Sequence, residues 1–439
     1  MPFFIHANLA RHVMWAATFM TIVAFSALDA APILQWDELA PLPPAPRETV
    51  QAGLAGPYAG EHNGALLVAG GANFPGKPPW EGGVKAWWNN IWVYAPDATG
   101  RVGWIADERF RLPRSIGYGV SFSTPDGVVC VGGADNERCY REVFLLRWDP
   151  LRREVITQTL PSLPEPLAFG GGAMIGTRLF VVAGQQAIKE PLFTGRMWCL
   201  DVARRGQADF AWEEFPAIPG AARMLPVVAS QTQDGRESLF VFSGRTPRVG
   251  QAADLLSDGY RYDVGARRWT QLKNVRFKDG TGSDSAVCLM GAVAIPHGSS
   301  ELLVFGGDRG KLFKELEQHD LAVAKLRSDL ARAGAERIDL AAAIDQHLAA
   351  KRKIYENHPG FSDDVLLYNL QSDSWRRIAK MPVTGPVTTS IVPYGDAWVI
   401  PSGEERPGIR TTRMLRVKVS VQALPTGSGG GERGGGPLK

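Results

Sequence analysis

An excess of charge of either sign is missing from this chain: 48 Lys and Arg against 45 Asp and Glu leave a formal net charge of +3 over 439 residues. No Lys/Arg-rich block stands out, which argues against a nucleic-acid surface as the main function. Cysteine is scarce. Cys130, Cys199 and Cys288 lie in apolar, strand-like runs, and Cys139 lies in a loop-like NERCY stretch. Four thiols in so long a chain make no disulfide scaffold, although one bridge is compatible with them, and their spacing fits no zinc rule. The seven histidines, at 6, 12, 62, 297, 319, 347 and 358, form no local cluster, so no metal site is expected. Long apolar runs are absent apart from Val13 to Ala27, which follows Arg11-His12 and ends in small residues. That run is too short to favour a membrane span and reads as a secretory signal over residues 1–30, cut near Ala27 to Ala30; an uncleaved anchor is the alternative. Export to an oxidising compartment follows from the first reading, with no stable membrane insertion after cleavage.

What the chain has in quantity is glycine and proline, 49 and 31 residues, in a sequence that is 45% hydrophobic. They punctuate six similar segments: LLVAGG (66–71), VVCVGG (128–133), FVVAG (180–184), FVFSG (240–244), LLVFGG (302–307) and WVIPSG (398–403). Their last glycines are 62, 51, 60, 63 and 96 residues apart, steps that suit one four-stranded unit per repeat. Each glycine is read as ending an inner apolar strand. Several motifs are followed by a second strand with aromatic and polar alternation, such as Ile91-Trp92-Val93-Tyr94 and Gly259-Tyr260-Arg261-Tyr262. After these comes a turn, a tryptophan (Trp212, Trp269, Trp375) and a proline or basic turn. Period-two alternation between turns reads as an antiparallel meander.

Six such units close best as a radial ring, which protects the strand edges a linear stack would expose. The expected fold class is therefore all-β, a six-bladed propeller over residues 31–420. After Gly403 only one clear strand remains, Thr412 to Val419, and the missing tryptophan strand is found at residues 33–39 (Ile33 to Leu39). The N-terminal strand is thus expected to complete the last blade. The 96-residue step holds the only long helical pattern: two helices near 312–331 and 337–353, an insertion at about 311–355 that is either a structural hairpin or a lid over one mouth. Residues 421–439, rich in glycine, read as a disordered tail.

The tandem glycine-ended strands with downstream Tyr and Trp resemble kelch repeats. A narrower likeness rests on WVIPSGEERPGIRT (398–411), which resembles the Gly-Glu-x-x-Pro-Gly-x-Arg-Thr segment of the bacterial N-acetylneuraminate epimerases, the sialic acid mutarotases. The stretch GLAGPYAGEHNGALLVAGGANFPG, ending at Gly76, and Gly117-Tyr118-Gly119-Val120-Ser121 resemble further segments of that family, and the charged helical insertion has a counterpart there. In the typical member the Gly-Glu segment comes before the Gly-Ala-Asn-Phe-like one, whereas here it comes near the end, so the chain resembles a circularly permuted branch. The resemblance spans roughly residues 33–420. It implies a periplasmic six-bladed kelch propeller that interconverts the α and β anomers of N-acetylneuraminate, a small acidic sugar, with no cofactor.

By this resemblance Glu404 matches the catalytic carboxylate and Arg410 the arginine beside it. The residue types suit the chemistry. Mutarotation needs a base for the anomeric hydroxyl and an acid for the ring oxygen, and one carboxyl group supplies both only through a relay or a second donor. A guanidinium fork suits the planar carboxylate that sialic acid carries on its anomeric carbon. Pro407-Gly408 would turn the chain so that both side chains reach one mouth. A glutamate and an arginine six apart in a loop are also a common surface ion pair. Arg114, Arg223 and Arg245, near blade entrances or just after a motif glycine, are candidates for a positive funnel or equally for turn and salt-bridge roles. Asn73 and Tyr118 are candidates for sugar hydroxyls. Glu61 ranks below them because His62-Asn63-Gly64 reads as a hairpin turn, and Trp80, Trp87 and Trp88 suit either sugar stacking or blade packing. The enzyme alternatives are mutarotation or isomerisation of another sugar; the non-enzyme alternative is a propeller that binds glycans or proteins.

Overall fold

Short apolar segments cut by left-handed turns build one repeated element. The computed structural model describes residues 32–278, 282, 284–333 and 338–420. Among these residues are six four-stranded sheets, arranged as a six-bladed β-propeller with a two-helix insertion. Blade 1 runs through Tyr58–His62, Ala65–Ala69, Asn90–Pro96 and Val102–Arg111, and blade 2 through Val120–Thr124, Gly127–Val131, Val143–Asp149 and Glu154–Leu160. Blade 3 spans Gly171–Ile175 to Glu213–Phe215, blade 4 Val227–Gln233 to Arg268–Leu272, and blade 5 Val293–His297 to Ser374–Lys380. In blade 6 the sheet order is Val392–Tyr394, Ala397–Pro401, Met414–Ser420 and then Ile33–Leu39, so the outermost strand comes from the other end of the chain. Residues Leu34–Val419 form one unit, and everything below concerns it. The signal-like stretch 1–30 and the tail 421–439 lie outside the described residues.

The glycine motifs form the second strand of each blade, not the innermost. Another strand, no longer than the motif strand, precedes each one, and this inner set lines an axial channel with Val120, Ser121, Gly171, Gly172, Val228 and Val293 among others. The motif strand is apolar throughout because both its faces are covered: Ala65–Ala69 and Gly127–Val131 are buried at every position. Outermost strands such as Glu154–Leu160 are mostly exposed. Side chains of adjacent blades interdigitate between sheets, as where Leu67 and Val93 meet Val128, Phe144 and Trp148. The interface of blade 6 with blade 1 is built the same way, from Val392, Val399 and Met414 against Leu66, Val68 and Trp92.

The tryptophans of the outer strands act as clasps. Trp104 Nε1 donates to the Ala40 carbonyl at 2.8 Å, Trp212 Nε1 to Pro161 at 2.8 Å, and Trp269 Nε1 to Pro216 at 2.7 Å. Each acceptor lies just past the outer strand of the preceding blade. This gives the recurrent pairing of a tryptophan with a proline turn a physical cause: a half-buried indole N–H gains from a partner and the turn offers a carbonyl, although Trp375 of blade 5, which is buried, makes no such bond.

The end of every motif strand bends through two successive left-handed residues. The second is glycine in all six: Gly71, Gly133, Gly184, Gly244, Gly307 and Gly403, with φ between 88° and 124°. The first is glycine in three blades but Ala183, Ser243 and Ser402 in the others, where a side chain costs ~1–2 kcal/mol of strain. The two serines offset this with hydrogen bonds. Ser402 Oγ accepts from Leu54 N at 2.8 Å and donates to the Thr411 carbonyl at 2.6 Å, and Ser243 Oγ accepts from Leu289 N at 2.6 Å.

A second set of left-handed residues, one per blade, stands at the entrance to the innermost strands: Gly56, Tyr118, Phe169, Leu225, Gly291 and Thr388. Their backbones pass hydrogen bonds around the axis. Gly56 N donates to Thr388 O (2.6 Å), Tyr118 N to Gly56 O (2.7 Å), Phe169 N to Tyr118 O (2.8 Å), Leu225 N to Phe169 O (2.7 Å) and Gly291 N to Leu225 O (3.0 Å).

The insertion leaves blade 5 after its motif and consists of helices α1 (Lys311–Ala333) and α2 (Ile338–Glu356). Leu316, Val323 and Ile344 are its buried apolar positions. His319 and His347 meet across the pair, Nδ1 to Nδ1 at 2.8 Å, a contact between two histidines 28 residues apart. No helix among the described residues is long and apolar enough to cross a membrane. All four cysteines are buried and free, and burial pushes the Cys139 and Cys199 thiols up to about 12.

Candidate active site

The residue that follows each motif glycine pairs with the residue just before the entrance ring. These bridges are Ala55 with Ala72, Gly117 with Ala134, Ala168 with Gln185, Met224 with Arg245, Met290 with Asp308, and Val387 with Glu404. One mouth of the propeller thus presents six equivalent positions. Small or neutral residues fill three of them, and blades 4, 5 and 6 supply Arg245, Asp308 and Glu404. These three line one cavity of about 250 Å³ together with Lys85, Tyr118, Phe313, Phe361 and Arg410. It is slightly smaller than the ~300–1,000 Å³ of most small-molecule sites. The axial channel is lined mainly by glycine, alanine, valine and small hydroxyl residues and holds no ionisable acid or base apart from the shared Tyr118, so the chemistry belongs to the charged cavity.

Glu404 and Arg410 sit opposite each other on a two-stranded hairpin, Glu404–Arg406 and Ile409–Arg410. Pro407-Gly408 forms its turn, with Gly408 at φ 83°. Gly408 N donates to Glu404 Oε1 at 2.7 Å, which fixes the carboxylate. The Arg410 side chain is only 5% exposed, and its Nη1 lies 3.4 Å from Glu404 Oε1. That is close enough for charge attraction, yet Nη1 and Nε both lack a hydrogen bond. The guanidinium lies 4.8 Å from the ring of Phe74, a residue of the Gly-Ala-Asn-Phe stretch. A fixed carboxylate beside an under-satisfied buried guanidinium can exchange protons and grip an anion at one spot.

Arg245 also faces the cavity. Its Nη1 pairs with Glu317 of helix α1 at 3.2 Å, and the guanidinium stacks 4.3 Å from Phe313 of the same helix. Burial pulls its pKa down, with Glu317 and Asp308 opposing. Tyr118 forms part of the wall, held in left-handed backbone and packed on Phe169 at 4.6 Å, with Lys85 Nζ 4.4 Å from its ring. The insertion therefore contributes wall residues. Outside the cavity, Tyr355 of α2 stacks on Trp80 at 4.9 Å, and Trp80 packs against the Gly408 turn.

Three of the sequence candidates lie elsewhere. Arg223 is fully buried and forms a two-pronged pair with Asp258 at 2.6 and 2.8 Å, with further bonds to the carbonyls of Ala221 and Ser243. Its fork is spent inside the protein, which corrects the funnel role. Arg114 pairs with Glu142 at 3.1 Å and lies over Tyr140, away from the cavity lining. Asn73 is buried with both ends of its amide engaged, Nδ2 to the Gly53 carbonyl (2.7 Å) and Oδ1 to Trp88 Nε1 (2.9 Å). It braces the loop that carries Phe74. Glu61 accepts from Gly64 N at 2.7 Å and closes a hairpin turn. Trp87 packs on Tyr118 at 5.5 Å, and Trp88 donates to Asn73. Sequence reasoning missed Asp308, Lys85 and Phe313. Asp308 was marked in the sequence by its place directly after Gly307, the same place that Arg245 and Glu404 hold after their glycines. Lys85 and Phe313 sit on a loop and an insertion whose paths no periodicity encodes.

A family model described as N-acetylneuraminate epimerase matches residues 23–155 and 160–425. The N-acetylneuraminate epimerase of Haemophilus influenzae (strain PittEE) is 25% identical over 270 residues, 61% of each chain. That of Brucella suis (strain ATCC 23445 / NCTC 10510) is 36% identical over 124 residues, 26% of this chain and 30% of the other. That of Vibrio cholerae serotype O1 (strain ATCC 39315 / El Tor Inaba N16961) is 35% identical over 131 residues, 28% and 32% of the two chains. The chain thus spans about three fifths of the length of the Haemophilus relative. A solved structure titled "Structure of YjhT" superposes with a TM-score of 0.54 at 13% identity, covering 87% of this chain and 99% of that one, a likeness of fold.

Proposed function

The chain belongs to the N-acetylneuraminate epimerase family, and from that premise and the charges of the cavity we propose that it interconverts the α and β anomers of N-acetylneuraminate or a closely related acidic sugar. The observation that carries this reading is the state of Arg410, which lines the cavity with its Nε and Nη1 unbonded. A buried guanidinium with unspent N–H groups costs stability unless a ligand uses them, and the carboxylate on the anomeric carbon is an anion that suits a guanidinium. Held there, the sugar presents its anomeric hydroxyl to the carboxylate of Glu404, the neighbour at 3.4 Å. Glu404 then acts as base when the ring opens and returns the proton when it closes on the other face. Arg245 and Lys85 add positive charge to the wall, which favours an acidic sugar over a neutral one.

The proposal extends to the kelch-type, circularly permuted arrangement. Its support is that blade 6 draws its outer strand from residues 33–39 while the Glu404 hairpin stands late in the chain. A closed ring keeps the same neighbours wherever it is cut. Export to the periplasm is likewise proposed, from the run at residues 13–27. N-terminal sequencing of protein from the periplasmic fraction is expected to start near residue 28–31, and a chain starting at Met1 would count against it.

The central test is proton NMR of freshly dissolved α-N-acetylneuraminate. Added protein is expected to speed the approach to the β-rich equilibrium without changing its position. Binding without acceleration would favour a glycan-binding propeller. Acceleration with a different acidic sugar only would keep the reaction class and move the substrate.

A further inference from the structure

Ring opening needs an acid as well as a base, and Glu404 cannot be both at the same instant. Asp308 stands one blade away at the equivalent position, on the same cavity, between Arg245 and Glu404 in blade order. We infer that Asp308 is a second catalytic carboxyl of this site, the acid that protonates the ring oxygen while Glu404 takes the anomeric proton; this rests on the anomer-exchange reading above.

Its surroundings suit an acid more than an ion-pair partner. The residue is only 8% exposed, and its Oδ1 accepts from Gly310 N at 2.7 Å, which pins the carboxyl in place. Its other oxygen has no hydrogen-bond or ion-pair partner among the described residues. Both nearby cations are directed elsewhere. Arg309, next in the chain, bonds to Asp364 at 2.6 Å and Ser362 at 3.0 Å, and Arg245 pairs with Glu317. The other titratable groups that face Asp308 or share its cavity are Glu404, Cys288, Tyr118, Arg410 and Lys85. Burial first, and then the charge of Glu404, push the Asp308 carboxyl up; the Gly310 N–H, Arg245 and Arg309 pull the other way without cancelling this. Two carboxyl groups that share a cavity tend to hold one proton between them.

The proton count closes without an external donor. On opening, the bond between the anomeric carbon and the ring oxygen breaks, its electron pair stays on the ring oxygen, and Asp308 gives that oxygen its proton. Glu404 removes the anomeric hydroxyl proton, and the freed pair becomes the second bond of the ketone. The open sugar then faces ionised Asp308 and protonated Glu404. After rotation about the adjacent carbon–carbon bond the hydroxyl adds to the other face, its proton returns to Asp308, and Glu404 protonates the former ketone oxygen. Nothing is oxidised or reduced, and both carboxyls regain their starting states.

Asp308→Asn keeps the acceptor for Gly310 N–H but cannot cycle a proton. Anomer exchange measured by NMR across pH is expected to fall about 100-fold at neutral pH, with affinity for the equilibrated sugar retained. The wild-type rate should decline on the alkaline side as Asp308 loses its proton, and that limb should vanish in the variant. Carbon-13 NMR of Asp-labelled, unliganded wild-type protein should show one aspartic carboxyl that titrates above the ordinary aspartate range. A folded variant with the wild-type rate, or a slowed one that keeps the alkaline limb, would overturn the assignment and leave Asp308 a turn-capping residue. A wild-type protein in which no aspartate titrates above the ordinary range would do so even if the variant did not fold. A wild-type protein that accelerates no acidic sugar overturns the earlier reading and this one together, and is recognised because it appears without any substitution.

Discussion

Glu404→Gln is expected to slow anomer exchange by about 10²–10⁴-fold, the usual contribution of a positioned acid–base group, or about 3–5 kcal/mol of transition-state stabilisation. The amide has the same size and its oxygen still accepts from Gly408 N, so the hairpin that also carries Arg410 stays in register. What is lost is the ability to hold the anomeric proton. The loss should therefore fall on the maximal rate, with little change in the concentration needed for half-saturation. Arg410→Ala should act differently. It removes the fork that orients the sugar's carboxylate, so half-saturation should rise steeply as well as the rate falling. Glu404→Gln should melt close to wild type, whereas Arg410→Ala, which takes a buried side chain away from Phe74 and leaves the Glu404 carboxylate without its ion-pair partner, should also lower the midpoint. Wild-type exchange in both, with the fold intact, would remove the hairpin from the mechanism.

The largest expected loss of stability lies at Arg223, outside the chemistry. Its side chain is 0% exposed and holds Asp258, itself 21% exposed, through two short bonds, while also satisfying two backbone carbonyls. Arg223→Met fills much of the volume but strands a half-buried carboxylate and two acceptors. Breaking a buried pair by removing one partner costs about 3–5 kcal/mol, and the partial exposure of Asp258 places this case near 3 kcal/mol. Urea denaturation should show a clearly lower midpoint with an unchanged slope, and Asp258→Asn in the same background should recover part of the loss. A midpoint like that of the wild type would mean that the pair is replaceable. Half-saturation by the sugar should not move, because the guanidinium points into blade 4 rather than the cavity.

The two arginines show where sequence was readable. The six glycine-ended strands, the ring they form and the borrowed strand at residues 33–39 could be read because burial on both faces demands unbroken apolar runs and because the left-handed turn demands glycine at its second residue. The hairpin of Glu404 and Arg410 was visible for a similar local reason, a Pro-Gly turn between charged residues. Arg223 and Arg245 look alike in sequence, yet one is spent on Asp258, 35 residues away, and the other opens on the cavity. That difference arises from a partner fixed only by the folded blade. Asp308 was passed over because its signal is a position relative to Gly307 rather than an unusual residue or spacing. The innermost strands were missed as separate elements because most are short and mix small, polar and apolar residues, whereas the unbroken apolar motif strands behind them dominate the pattern.

The left-handed residues at the strand entrances have a consequence for the walls of the pocket. Tyr118, Phe169, Leu225 and Thr388 belong to that set and to the lining of the cavity at once. The base of the pocket is therefore a run of backbone hydrogen-bonded from blade to blade across five of the six junctions, from Thr388 round to Gly291. Opposite it stand Phe313 of the insertion and, just outside, Tyr355 stacked on Trp80, contacts made by side chains alone. The pocket thus joins a base fixed by backbone to a rim built partly from the side chains of the insertion.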